Sequence, residues 1–268
     1  MKLNNSIFLR GLLFTAILIG LGSCENSSTL EEHNWQLVWQ DEFDINGAPD
    51  ETRWVYDLGG GGWGNNELQT YTNDPQNIIV EDGALKITAV KSGGSFTSAR
   101  IKTKGKFDQA YGRFEASIKL PWGPGIWPAF WMLGSDIDTN PWPQCGEIDI
   151  MEYRGQEPNL INGSVHGPGY SGGAAITKAY GYDNDRFDVD YHVFAVEWGA
   201  DYIYYYVDDI LYQEINPDDL TGDWVFDSPF FMLLNVAVGG DYVGFPTDDT
   251  PFPQTMFVDW VRVYEDVE

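Results

Sequence analysis

The chain has 268 residues, with 41 Asp and Glu against 15 Lys and Arg, a formal net charge of −26 and a pI near 4.1. That balance argues against a nucleic-acid partner, because phosphate binding draws on clustered Lys and Arg, and it disfavours polyanionic substrates. The length suits one large β domain better than two small ones, and 11 Trp and 15 Tyr supply flat amphipathic side chains that serve a core or the apolar face of a sugar ring.

In chain order, residues 1–23 read as a leader. Lys2 and Arg10 flank the apolar run 11–21, which is too short to span a bilayer as a stable helix, and Leu21-Gly22-Ser23-Cys24 closes it. This end resembles a bacterial lipoprotein signal peptide. The resemblance implies cleavage before Cys24, lipidation of Cys24 and a membrane anchor in the cell envelope; Glu25 in place of Asp after the cysteine points to the outer membrane, with soluble secretion as the alternative. Residues 24–34 are then a polar tether, and the folded domain is expected over 35–268. Cys145, the other cysteine, cannot build a disulfide framework or a thiolate metal site alone and reads as a small packed residue.

From Trp35 onward the pattern is strands and turns. Residues 78–81 and 84–89 flank Asp82-Gly83, a two-residue hairpin signal. Phe114, Ala116, Ile118 and Leu120 alternate with Arg113, Glu115, Ser117 and Lys119. In 125–133, Trp127, Ala129 and Trp131 share one face and Phe130 and Met132 the other, so one set can fill a core while two Trp line an open face. Further strands are expected at 191–198, 202–207, 210–213, 230–238 and 257–264. No stretch sustains a helical period, and the many short strands predict an all-β, antiparallel two-sheet sandwich.

Between the Trp-bearing strand and the later ones lies Gly146-Glu147-Ile148-Asp149-Ile150-Met151-Glu152-Tyr153. On a regular strand Glu147 and Asp149 share a face, and Glu152 has the wrong parity. One extra residue around Ile150 or Met151, forming a bulge, restores the parity and lines up all three acids. Such a group suits cleavage of a glycosidic bond, which needs one carboxylate at the anomeric carbon and a protonated carboxyl at the leaving oxygen. Acids at i and i+2 also occur on plain solvated strands, so the neighbourhood has to decide. Residues 169–173 spell G-x-S-x-G, but a Gly/Pro turn precedes them and no amphipathic helix follows, so they read as a glycine-rich loop rather than a nucleophile elbow.

Five blocks together resemble glycoside hydrolase family 16: residues 64–72 (GNNELQTYT), 111–115 (YGRFE), 125–133, 146–152 and 257–264 (FVDWVRVY). The laminarinase branch, endo-β-1,3-glucanases, is the nearest. The resemblance implies a jelly roll with a concave substrate cleft and a retaining double displacement, with Glu147 as nucleophile, Asp149 as assisting acid and Glu152 as acid/base. It implies sugar contacts from Asn66, Arg113, Trp127, Trp131 and His166, the last near the acid/base. The five-residue interval from Glu147 to Glu152 follows the bulged form of the family motif and departs from that of the bacterial lichenases. The resemblance also implies a structural calcium held by Glu42, the Gly83 carbonyl and Asp259, oxygen donors far apart in sequence. No organic cofactor is expected, and the partner is a neutral β-glucan met by a monomer. Alternatives that stay open are a mixed-linkage β-1,3/1,4-glucanase, a marine galactan hydrolase and a non-catalytic glycan-binding lipoprotein.

Overall fold

The computed structural model describes residues 33–182 and 185–267. The expected leader, Cys24 and nearly all of the expected tether therefore lie outside the described residues. His33 and Asn34 already belong to the fold: His33 Nδ1 lies 2.6 Å from a carboxylate oxygen of Asp266, and the Asn34 N–H donates to the other at 2.9 Å. Both had been expected in the tether, and both are instead fastened to the last strand.

The fold is an antiparallel β-sandwich. In its seven-stranded sheet the order is Ile176–Gly181, Leu160–His166, Glu147–Tyr153, Ile126–Gly134, Phe230–Val238, Arg100–Lys102 and Val55–Tyr56. The ten-stranded sheet runs through Ile210–Ile215, Ile203–Val207, His192–Trp198, Gly112–Lys119, Gln254–Asp266, Ala84–Ser92, Ser95–Ser98 and Gln69–Tyr71, with Trp35–Asp41 and Ile78–Glu81 pairing alongside. Gln69–Tyr71 and Ser95–Ser98 pair in parallel, a departure from the antiparallel rule that holds for the other strand pairs among the described residues. The Asp82-Gly83 hairpin forms where expected, both residues taking positive φ, 58° and 76°.

Between the sheets lies one core, and the parity of the sequence selects it. Phe114, Ala116 and Ile118 from one sheet meet Phe130, Met132, Ile148 and Leu234 from the other, all fully buried. Each of the larger side chains among them, removed from water, contributes about 1.5–3 kcal/mol. The opposite face of Ile126–Gly134 carries Trp127, Ala129, Trp131 and Leu133, which look away from that core into a cleft.

Strand Leu160–His166 is one the hydrophobic pattern conceals, because Asn162 and Gly163 interrupt it. Gly163 is needed there: a Cβ at this position would sit 2.4 Å from the Tyr212 hydroxyl and 2.6 Å from the Tyr205 ring. The ten-stranded sheet thus approaches the backbone beneath the cleft too closely for any side chain.

Strand Glu147–Tyr153 contains the bulge. Against Ile126–Gly134, Asp149 pairs with Trp131 and Met151 with Phe130, which leaves Ile150 unopposed. Ile150 and Met151 are consecutive, yet both are at most 1% exposed and both belong to the core. Burying two neighbouring apolar side chains on one face requires the extra residue, and the same irregularity returns Glu152 to the face of Glu147 and Asp149.

Candidate active site

The cleft is the outer face of the seven-stranded sheet, with a volume of about 710 Å³. Its floor crosses six strands, from Thr177 through Ser164 and His166, the three acids, Trp127 and Trp131, and Asn235, to Arg100. At about 4.8 Å per strand spacing that is a groove roughly 24 Å long.

Glu147, Asp149 and Glu152 all line it. Trp142, on the loop before the acidic strand, donates its indole N–H to Glu147 Oε2 at 2.5 Å. Trp127 Nε1 donates to Glu152 Oε1 at 3.2 Å, and the Ser164 hydroxyl donates to Glu152 Oε2 at 3.4 Å. Asp149 sits between them, 2% exposed. His166 takes the Gly172 N–H on Nδ1 at 3.0 Å, which leaves the ring proton of the neutral tautomer on Nε2. That Nε2 lies 3.0 Å from Asp149 Oδ2 but is not aligned for a hydrogen bond, and this oxygen has no hydrogen-bond partner among the described residues. His166 therefore neighbours Asp149 directly, and its charge also acts on Glu152.

Three acids gathered this closely on one strand face cannot all carry charge. Burial pushes Glu147 and Asp149 well above the usual carboxylate range, and the charge of the neighbouring acid adds to it in each case. Glu152 is pushed up to about 7, first by burial and then by the charge of Glu147, while His166, the Trp127 indole and Ser164 pull it down. Glu147 and Asp149 are also close enough to share a proton through a hydrogen bond. The cluster thus holds protons near neutral pH, and Glu152 is poised to give one up or take one back.

Two of the residues expected to touch sugar stand elsewhere. Arg113 belongs to strand Gly112–Lys119 of the other sheet. Because Phe114 faces the core, Arg113 and Glu115 point to the far side of the sandwich, where Arg113 donates to Glu115, Glu197 and Asp209 at 2.7–2.9 Å. It is not part of the cleft. Asn66 is exposed and does not line the cleft either; its Nδ2 lies 3.0–3.1 Å from both carboxylate oxygens of Asp241, so it props the loop that carries Asp241. Its neighbours Asn65 and Glu67 do line the cleft.

Several cleft residues carried no sequence signal in their own motifs. The Arg100 guanidinium lies between two indoles, 5.0 Å from the ring centre of Trp63 and 4.6 Å from that of Trp131, and 3.1 Å from an oxygen of Asp57. Asn235 accepts the Trp131 indole N–H at 2.8 Å. Trp142, five positions before Glu147, was open to detection as a Trp between two prolines beside the acidic motif. The 169–173 segment is a loop at the cleft edge, with Gly172 and Gly173 in the lining, as its turn residues implied.

Strand pairing brings the segments of Glu42, Gly83 and Asp259 to neighbouring parts of the ten-stranded sheet. Glu42, however, gives both carboxylate oxygens to the Arg262 guanidinium at 2.8 and 2.9 Å. A cation would have to displace Arg262, so this donor set does not fit calcium as it stands.

The profile of glycosyl hydrolases family 16 matches residues 65–262. The chain is 41% identical over 266 residues to the Beta-glucanase of Rhodothermus marinus, covering 94% of this chain and 93% of that protein. The laminarinase catalytic domain from Thermotoga maritima MSB8 superposes with a TM-score of 0.83 at 47% identity, covering 88% of this chain and 100% of that one. The endo-beta-1,3-glucanase from Pyrococcus furiosus gives 0.83 at 44% identity, covering 88% and 96%. The chain therefore belongs to glycosyl hydrolase family 16, and it is a glycoside hydrolase.

Arg113→Ala is expected to lower unfolding stability by about 3 kcal/mol, since it strands the largely buried carboxylates of Glu115 and Glu197, yet to leave KM for polysaccharide unchanged. Urea unfolding together with steady-state kinetics checks both halves, and a raised KM would return Arg113 to the substrate site. For Glu152 the folded protein holds the proton more tightly than the unfolded chain, with about 7 against an ordinary value of 4.5. Its contribution to stability is therefore complete below about pH 4.5 and is lost as pH rises through 7. Glu152→Gln should raise the melting temperature at pH 8 by clearly more than at pH 4; equal shifts at both would contradict the assignment.

Proposed function

We propose that the protein is a retaining endo-β-1,3-glucanase acting on laminarin-type polysaccharide. The observation that carries this reading is the bulge at Ile150, which sets Glu147 and Glu152 on one face of an open groove beside Trp127 and Trp131. A groove that crosses six strands accepts the interior of a chain. Its charged lining is mostly acidic, with Glu67 and Asp241 joining the three central acids against Arg100 and Arg154. Arg100 is already balanced by Asp57. Such a surface favours an uncharged glucan over a sulfated galactan, and the named activities of the similar proteins, laminarinase and endo-beta-1,3-glucanase, agree.

In the reaction Glu147 attacks the anomeric carbon while Glu152 protonates the departing oxygen. Trp142 holds Glu147 Oε2, which leaves Oε1 for attack and favours the ionised form. The proton shared with Asp149 rests on Asp149 when Glu147 reacts. Formation of the glycosyl ester then removes the Glu147 charge that had raised Glu152, so Glu152 becomes more acidic once it has lost its proton and stays ionised until water arrives. It next takes a proton from that water, which releases the sugar with its original configuration.

Glu147→Gln and Glu152→Gln should each lower kcat on laminarin by several orders of magnitude with folding intact, and Asp149→Asn by less. Proton NMR of the first product should show the β-anomer before mutarotation; immediate α-anomer would mean inversion. Reducing-sugar assays should rank laminarin above mixed-linkage glucan, with agarose, porphyran and carrageenan nearly inert. Preference for the mixed-linkage polymer would move the assignment to a β-1,3/1,4-glucanase, and activity confined to a sulfated galactan would overturn the charge argument.

We further propose that the enzyme works as a monomer tethered through a lipid on Cys24 to the bacterial envelope, at the outer membrane. The support is the 1–24 sequence itself, with its basic flank, short apolar run and Leu-Gly-Ser-Cys end. Among the described residues no helix is long and apolar enough to cross a membrane. Expressed with its leader in a bacterium, the protein should partition into detergent and lose that behaviour as Cys24→Ala; soluble wild type with an unmodified Cys24 would reject the anchor.

A further inference from the structure

As acid/base, Glu152 is protonated in one half of the reaction and ionised in the other, so whatever holds its carboxyl has to suit both states. Trp127 reaches Glu152 Oε1 at 3.2 Å with an indole N–H that can only donate. Oε1 is therefore an acceptor throughout, and the proton that comes and goes sits on Oε2. That oxygen lies 3.4 Å from the Ser164 hydroxyl.

Ser164 is 3% exposed and stands on strand Leu160–His166, opposite Asp149 on one side and Thr177 on the other. Its hydroxyl has a second partner, Thr177 Oγ1, at 2.9 Å. The direction of that contact is set from behind. Thr177 donates its own proton to the Gly163 carbonyl at 3.2 Å, so toward Ser164 the Thr177 oxygen is an acceptor. Ser164 thus has one proton and two acceptors for it, Glu152 Oε2 and Thr177 Oγ1. Facing Glu152 are also Glu147 and Asp149 on its own strand, His166 on the next, Tyr205 and Tyr212 from the ten-stranded sheet, and Tyr242 with Arg154 beside it. Among the described residues, the hydrogen bonds to the Glu152 carboxyl come from Trp127 and Ser164.

We propose that Ser164 and Thr177 form a hydroxyl pair that follows the charge of Glu152 through the reaction, which makes both of them positioning residues for the acid/base. With Glu152 ionised, Ser164 turns its proton to Oε2. With Glu152 protonated, Ser164 turns that proton to Thr177 and leaves the one on Oε2 free for the departing sugar oxygen. No proton passes along the pair; only the Ser164 hydroxyl rotates.

The assignment rests on the glucan reading above, with Glu152 as acid/base. It is tested by the pH profile of kcat/KM on laminarin, whose basic limb reports loss of the Glu152 proton in the free enzyme. Ser164→Ala removes a donor to the ionised form, so the limb should move to higher pH by about half a unit. Thr177→Val removes the other acceptor, so Ser164 donates to Glu152 at all times and the limb should move to lower pH by a similar amount. Thr177→Ser, which keeps the hydroxyl, should leave it in place. A limb that stays put in both Ser164→Ala and Thr177→Val, or that moves the same way in both, would overturn the pairing alone. Wild-type-like turnover by Glu152→Gln, or no cleavage of laminarin by the wild type, would overturn the reading beneath it and this assignment as well.

Discussion

One irregular residue pairing organises the active site. In a regular strand the acids at 147 and 149 would face the cleft and the one at 152 would be driven into the core, where an unpaired carboxyl is intolerable. Ile150 has no partner on the neighbouring strand, and this slip lets Ile150 and Met151 both enter the core while Glu152 turns outward. Core packing and acid placement are thus the same event. The apolar pair supplies the stabilisation, and the catalytic geometry follows from it.

The two sheets divide the electrostatics between them. On the face of the ten-stranded sheet that points away from the core, Arg113 donates to three carboxylates and Arg262 to both oxygens of Glu42, an arrangement that balances charge locally. In the cleft the acids are crowded instead of paired, so burial and mutual repulsion hold their protons. The same carboxylate chemistry therefore gives stability on one side of the sandwich and reactivity on the other, and the difference is which cations are within reach.

Strand periodicity made much of this legible. Alternation at 113–120 and 125–133 and the Asp82-Gly83 turn were enough to place the sandwich and its core, and the parity defect at Glu152 marked where a bulge would bring it to the face of Glu147 and Asp149. What stayed hidden depends on distant approach. Strand Leu160–His166 is masked by Gly163, whose reason is the Tyr205 and Tyr212 side chains more than forty positions away. Arg100, Asn235 and Tyr242 enter the cleft from strands or loops whose local pattern says nothing of a groove. Arg113 shows the reverse case: its motif resembled one that contacts sugar, but the parity of Phe114 sends it to the outer face, a conclusion available from alternation alone. Glu42 likewise had a ready partner in Arg262, three positions after Asp259.

The proposed double displacement requires Glu147 to be the group that the bulge and the Trp142 indole present to the anomeric carbon. Peptide mapping by mass spectrometry after incubation with an activated 2-deoxy-2-fluoro β-1,3-gluco-oligosaccharide tests this directly. One stoichiometric glycosyl adduct is expected on the peptide containing Glu147, localised to that side chain and formed in step with loss of activity. An adduct on Glu152, or turnover of the reagent with no covalent species at any time, would contradict it.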